Sequence, residues 1–265
     1  MSHAQQKWLA LPETSQLPQV SRTGYVELND ARLWYASFGD DNRDTVLLLP
    51  GGGGSSDYWA HLVRDLSRNY RVVVMDCRGQ GRSTNEAKTL SYEQMANDAL
   101  AVLDHLRVKI TAVVGWSDGA NIGFYLTLRY PDRISALAAF GGNATPAGYQ
   151  PLTHGAAFAA YGARTKAEYA RLSPRPERFA ATHTALSTMW RTQPTLTKKD
   201  LSAIKVRTGI FHAEHDEAIR RAHAQEIAAQ IPGAKFVLLK GVGHFALLQD
   251  PPAFNEAVRE FLSAK

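Results

Sequence analysis

Ile110-Thr111-Ala112-Val113-Val114-Gly115-Trp116-Ser117-Asp118-Gly119-Ala120-Asn121-Ile122-Gly123-Phe124 is the stretch on which the reading of this chain turns. Residues 110–114 form a mostly apolar run of strand length. Residues 118–129 space Ile122 and Leu126 at helical period and carry the aromatics Phe124 and Tyr125. Between them stands Gly115-Trp116-Ser117-Asp118-Gly119, a G-x-S-x-G pentapeptide set in a strand, a turn and a helix. Both glycines have a physical reason. Such a turn holds its serine in a strained conformation, and side chains at the flanking positions would collide with the neighbouring strand or helix. The turn lifts the Ser117 hydroxyl above the sheet and aims the first helical N–H groups at the same point.

Outward from this stretch the chain alternates. Residues 45–49, 71–75, 134–140, 206–211 and 235–239 are further continuous apolar runs, as expected of parallel strands buried on both faces. Residues 24–28 and 31–38 alternate instead, and the turn pair Asn29-Asp30 makes them a hairpin. Helical periods occupy 56–67, 92–106, 217–230 and 252–262. The expectation is an α/β protein built on a doubly wound, mostly parallel, eight-stranded sheet. One stretch breaks the alternation: residues 143–203 hold no strand, are punctuated by Pro146, Pro151, Pro174, Pro176 and Pro194, and show helical periods at 155–171 and 175–191. A structureless loop of that length does not suit a compact domain. The reading is a core of residues 1–142 and 204–265 with a small helical cap inserted at 143–203, preceded by a loose leader over residues 1–22.

Composition narrows the function classes. At 45% hydrophobic residues the chain can bury a full core. Cys77 is the single cysteine, which excludes an intramolecular disulfide framework and a cysteine-clustered metal site. Thirty basic residues against 25 acidic give a formal charge of +5, with no basic run beyond Lys198-Lys199 and Arg220-Arg221. That is a mildly basic surface, not a nucleic-acid footprint. No stretch of about 18 apolar residues is present, so no membrane span is expected, and residues 1–17 lack the apolar core of a signal peptide. The default is a cytoplasmic monomer or homodimer.

A serine hydroxyl is a weak nucleophile without a base. After the serine, the expected order is an acid and then a histidine. Residues 206–211 run into His212-Ala213-Glu214-His215-Asp216, and residues 235–239 run into Lys240-Gly241-Val242-Gly243-His244-Phe245. Both loops fall at carboxyl ends of parallel strands, the edge where Ser117 lies and where such sheets bind ligands. Asp216 is preferred to Glu214 as the acid because it lies in the loop proper. His212 and His215 with the two carboxylates offer a weak metal reading, since no second cluster completes a site; no metal or cofactor is expected. The remaining part is an oxyanion hole. Pro50-Gly51-Gly52-Gly53-Gly54-Ser55-Ser56 follows a strand and precedes a helix, and a glycine loop lets backbone N–H groups reach a substrate oxygen. The N–H groups of Asp118 and Gly52 are the expected donors, with Gly53 as the alternative. A rival reading takes Gly51-x-Gly53-x-x-Ser56, with Asp76 ending the next strand, as a dinucleotide fingerprint. It replaces the third glycine by serine and leaves Ser117, Asp216 and His244 unexplained.

Taken together, the glycine loop 50–54, the segment Met75-Asp76-Cys77-Arg78-Gly79-Gln80-Gly81-Arg82-Ser83, the pentapeptide, Asp216 and Gly243-His244-Phe245 resemble the α/β-hydrolase fold serine hydrolases from Tyr25 to Leu262. The resemblance implies Ser117 as nucleophile, His244 as general base and then acid, and Asp216 as the group orienting the imidazole. It implies a serine esterase (a carboxylesterase) acting on a small-molecule ester. One departure is Pro50, where the family commonly has the histidine of a His-Gly pair. Serine in place of aspartate disfavours relatives that form alkyl-enzymes. Gly-Trp-Ser-Asp-Gly is similar to the elbow of amino-acid ester hydrolases of the valacyclovir-hydrolase type, in which the acidic residue attracts an ammonium group. On that resemblance Asp118 would recognise an α-amino acyl part, with Trp116 and Gly53 also contacting substrate. The plainer reading, preferred here, is that Asp118 complements the dipole of the helix it opens. The cap aromatics Tyr149, Phe158, Tyr161, Tyr169, Phe179 and Trp190 are mostly packing residues, and no one of them is singled out. The same fold also accommodates a ligand sensor or a cofactor-free lyase or perhydrolase.

Overall fold

The computed structural model describes residues 6–150 and 155–264. The first five leader residues and Pro151 therefore lie outside the described residues. The strands are β1 (Arg22–Glu27), β2 (Arg32–Phe38), β3 (Thr45–Leu49), β4 (Arg71–Met75), β5 (Thr111–Trp116), β6 (Ile134–Phe140), β7 (Arg207–Ala213) and β8 (Lys235–Leu239). They form one eight-stranded sheet in the order β1-β2-β4-β3-β5-β6-β7-β8. β1 and β2 pair as the expected hairpin, with Tyr25 opposite Trp34, and β2 joins β4 antiparallel. Every pairing from β4 through β3 to β8 is parallel.

Helices α1 (Ala60–Leu66), α8 (Ala246–Gln249) and α9 (Pro251–Ser263) pack on one face, and α2 (Tyr92–His105), α3 (Asp118–Arg129) and α7 (Arg221–Gln230) on the other. The central strands show why. In β3, Val46 and Leu48 enter the core with Leu62, Val63 and Phe254, whereas Leu47 and Leu49 enter the core with Met95, Val102 and Ile122. Successive side chains point to opposite faces, so an apolar run without alternation needs helices on both sides.

Four local expectations change. Residues 56–59 make a 3-10 turn before α1 begins. β7 extends two residues past the expected end, through His212 and Ala213. α7 starts at Arg221 and not at 217, because the backbone before it is used elsewhere: Gln150 N donates to Ala218 O and Ile219 bridges Tyr149. The leader is not loose over residues 6–21. Trp8 stacks on His215 with ring centroids 3.8 Å apart, Gln249 Nε2 donates to Ala10 O, and Arg164 Nη2 donates to Leu11 O.

Between β6 and β7 lie α4 (Ala156–Leu172), α5 (Phe179–Thr192) and the short α6 (Lys198–Ala203). α6 opens on a capping box between Thr197 and Asp200, and no helix was expected there from the sequence. Among the described residues no helix is long and apolar enough to cross a membrane.

Candidate active site

Ser117 stands between the end of β5 and the start of α3 with φ 55° and ψ −116°, a left-handed conformation that a serine adopts at a cost of about 1–3 kcal/mol. Its N–H donates to Phe140 O at 2.8 Å, which ties the turn to β6. The flanking glycines are required by contact. A Cβ on Gly115 would lie 2.2 Å from Gly119 O, and one on Gly119 would lie 2.0 Å from Leu49 O. No side chain fits either position, so α3 closes directly onto β3 and β5.

Asp216 and His244 are brought together from the loops after β7 and β8. His244 Nδ1 lies 3.0 Å from Asp216 Oδ2 and 3.1 Å from Oδ1, both side chains being almost fully buried. Asp216 Oδ1 also accepts the N–H groups of Ala218 and Ile219 at 2.9 and 2.8 Å. Burial alone would raise the Asp216 carboxyl, but the His244 charge and these bonds outweigh it and hold the carboxyl below its ordinary value. Burial alone would lower His244, yet Asp216, and after it Glu217 and Asp118, hold the imidazole above its ordinary value. Glu217 gave no signal in the sequence beyond standing next to Asp216. Its Oε2 accepts the backbone N–H of His244 at 2.9 Å. Glu214, the less favoured acid, instead accepts the Gly241 N–H.

Trp116 brings the serine turn against this pair. It is 1% exposed, and its indole N–H donates to His244 O at 2.9 Å. Its polar atom is thus spent on the histidine loop.

In the glycine loop, the Gly53 N–H donates to Gln80 Oε1 at 2.5 Å and the Gly54 N–H to Gly51 O at 3.1 Å. Among the described residues the N–H of Gly52 meets no acceptor, and neither does that of Asp118, a first-turn helical N–H. The Asp118 carboxylate is buried. It accepts Tyr92 Oη at 2.8 Å and the Trp190 indole N–H at 2.9 Å on Oδ2 and 3.1 Å on Oδ1. Burial raises its carboxyl, partly offset by these bonds. Asp76, central to the dinucleotide reading, is fully buried. It accepts Ser56 N at 2.7 Å, Ser56 Oγ at 2.6 Å and Arg82 N at 2.8 Å, so it is a structural clamp on the loop and reaches no ribose. His212 is a buried strand residue and His215 is stacked on Trp8; among the described residues no three His, Cys, Asp or Glu side chains converge as metal ligands would.

Residues 44–173 match the family described as the alpha/beta hydrolase fold. The enol-lactonase of Burkholderia xenovorans LB400 superposes with a TM-score of 0.73 at 25% identity, covering 91% of this chain and 100% of that one. The chain has the α/β hydrolase fold. The hydrolase is 29% identical to RutD of Caulobacter segnis, a candidate carbamate hydrolase by its name, over 83% of this chain and 91% of that protein. It is 25% identical to human serine hydrolase BPHL over 89% of this chain and 85% of that protein.

Proposed function

We propose that this hydrolase cleaves small carboxylic esters through a covalent acyl-enzyme formed on Ser117. The observation that carries the reading is the strained serine turn joined, through Trp116, to a buried imidazole on a buried carboxylate. His244 takes the Ser117 proton as the hydroxyl attacks the ester carbonyl, then returns it to the departing alkoxide; water repeats the cycle and releases the acid. Asp216 holds the imidazole with Nδ1 protonated and stabilises the imidazolium without taking its proton. The N–H groups of Gly52 and Asp118 receive the oxyanion. The engaged Gly53 N–H favours Gly52 over Gly53 as the second donor. Residues 143–203 form the cap over this centre, and Gly53 and Asp118 border the space where the acyl group is handled.

The names of the relatives fit the same chemistry. A lactone is a cyclic ester, and a carbamate presents the same carbonyl to a serine. Asp118 keeps the amino-acid ester reading open in one respect: both donors to its carboxylate are neutral, so no protein cation among the hydrogen-bond partners matches its charge.

The test is turnover of p-nitrophenyl acetate, p-nitrophenyl butyrate, an α-amino acid p-nitrophenyl ester, a γ-lactone and a phenyl carbamate, wild type beside Ser117→Ala. Ester turnover should fall by about 10⁴-fold or more in the variant. No turnover of any member by the wild type would remove the reading in favour of a sensor or a lyase. The amino ester's kcat/KM relative to the butyrate reads the role of Asp118.

A further inference from the structure

Two polar contacts run from the inserted helices to the glycine loop and the serine turn, and both end on the residues proposed to bind the oxyanion. Tyr161, on α4, donates its hydroxyl to Gly52 O at 3.0 Å. Trp190, on α5, donates its indole N–H to the carboxylate of Asp118. The Tyr161 contact is made by a tightly packed side chain, and Trp190 is partly buried against the core. Tyr161 is 8% exposed and packs its ring on Phe245 at 5.0 Å, Tyr58 at 5.5 Å and Trp116 at 5.7 Å.

The Gly52–Gly53 peptide is thereby held at both ends. Its carbonyl accepts from Tyr161 on the insertion, and its N–H donates to Gln80 on the core. A planar peptide fixed at both polar atoms has no freedom to flip, and it limits rotation about Gly52 of the adjoining Gly51–Gly52 peptide, which carries the Gly52 N–H and whose own carbonyl accepts the Gly54 N–H at 3.1 Å. On the other side, Asp118 is fixed by Tyr92 from the core and Trp190 from the insertion. The two halves touch: a Cβ on Gly52 would lie 2.3 Å from Asp118 Oδ2 and 2.7 Å from Trp190 Cζ2.

We infer that Tyr161 and Trp190 are positioning residues which assemble the oxyanion hole only while the inserted helices are docked on the core. This rests on the acyl-enzyme reading above. It makes cap docking a condition for transition-state stabilisation as well as for pocket shape: a substrate that holds the helices down completes the site, and one that leaves them displaced meets misaligned donors. Donors must be preorganised to act on developing charge, and the loss of a single one costs about 10²- to 10³-fold in kcat. Misaligning one by removing its support should cost less, about tenfold.

The experiment compares wild type, Tyr161→Phe and Trp190→Phe with p-nitrophenyl butyrate and a pair of probes. One probe is an alkyl trifluoromethyl ketone, which adds to a serine as a hemiketal oxyanion. The other is the corresponding trifluoromethyl carbinol, which has the same shape and forms no oxyanion. Each variant is expected to lower kcat about tenfold with KM within about twofold, and to weaken the ketone about tenfold while carbinol binding changes less than twofold. Tyr161→Phe keeps the ring and its packing, so it remains informative should Trp190→Phe fold poorly. An unchanged kcat, a rise in KM alone, or equal weakening of both probes overturns the inference. Labelling of Ser117 by a fluorophosphonate separates the two levels. A wild type that is neither labelled nor active removes the acyl-enzyme reading and the inference with it; a labelled, active wild type with unaffected variants removes the inference alone.

Discussion

His244 is held between two carboxylates, Asp216 on its Nδ1 and Glu217 on its backbone N–H, and the first of these dominates its charge state. A general base must be neutral, and this imidazole is held above its ordinary value of 6.5. The acid limb of kcat/KM is therefore expected to have its midpoint above 6.5, read from ester turnover between pH 5 and 9. Asp216→Asn should move that midpoint down and lower kcat/KM by about 10⁴-fold, the size seen when a triad histidine loses its orienting carboxylate. A midpoint that stays put would separate Asp216 from His244. The stability sign follows from the same two shifts. The raised imidazole stabilises the fold fully below its ordinary value and loses that contribution as pH rises through the folded value; the depressed carboxyl stabilises above its ordinary value and loses it as pH falls. The pair therefore contributes most between the ordinary values of 3.8 and 6.5. At this scale the strained turn at Ser117 and the meeting of Asp216 with His244 were legible in the sequence, because each of these residues stands just after β5 or in the loops after β7 and β8 beside recognisable neighbours. Tyr161, Trp190 and Gln80 could not, because each acts on a residue 27 to 109 positions away and has no local pattern.

Helix α3 shows how an element places chemistry. It starts immediately after Ser117 and packs on β3, β5 and β6, so its first-turn N–H groups face the sheet edge. The approach depends on Gly119, whose missing Cβ would lie 2.0 Å from Leu49 O and 2.9 Å from Leu49 Cβ. Backbone cannot yield as a flexible side-chain tip can, so Gly119→Ala should cost about 3 kcal/mol or more in urea unfolding, the upper end for overpacking. A loss below about 1 kcal/mol would mean that α3 can back away from β3 without consequence. The strands were legible from their apolar runs, but helix starts were less so. α7 has the correct period from residue 217, yet tertiary hydrogen bonds to Gln150 and Tyr149 hold residues 218 and 219 out of the helix. Period alone cannot reveal a backbone group already taken by a distant partner.

Across the whole molecule, one buried ion pair ties the hairpin, the loop after β4 and α2 into a single body. Arg78 Nε and Nη2 each donate to the Asp98 carboxylate at 2.6 Å, and Nη1 reaches Asp30 in the β1–β2 turn at 3.0 Å. The Arg78 and Asp98 side chains are each 3% exposed. Such a pair is weak evidence for net stabilisation, because desolvating two ions offsets most of their attraction. Its consequence is asymmetry. Asp98→Ala leaves a buried guanidinium with only the half-exposed Asp30 and Asn85 for partners, and should destabilise the fold by about 3–5 kcal/mol. Replacing both partners, Arg78→Met with Asp98→Leu, removes the stranded charge along with its partner and should recover most of that loss. Urea midpoints of the single and double variants at constant m-value decide between the two accounts. A double variant as unstable as Asp98→Ala would show that Arg78 is needed for its bonds to Asp30 and Asn85, and that the segment leading to Gln80 depends on them for its position.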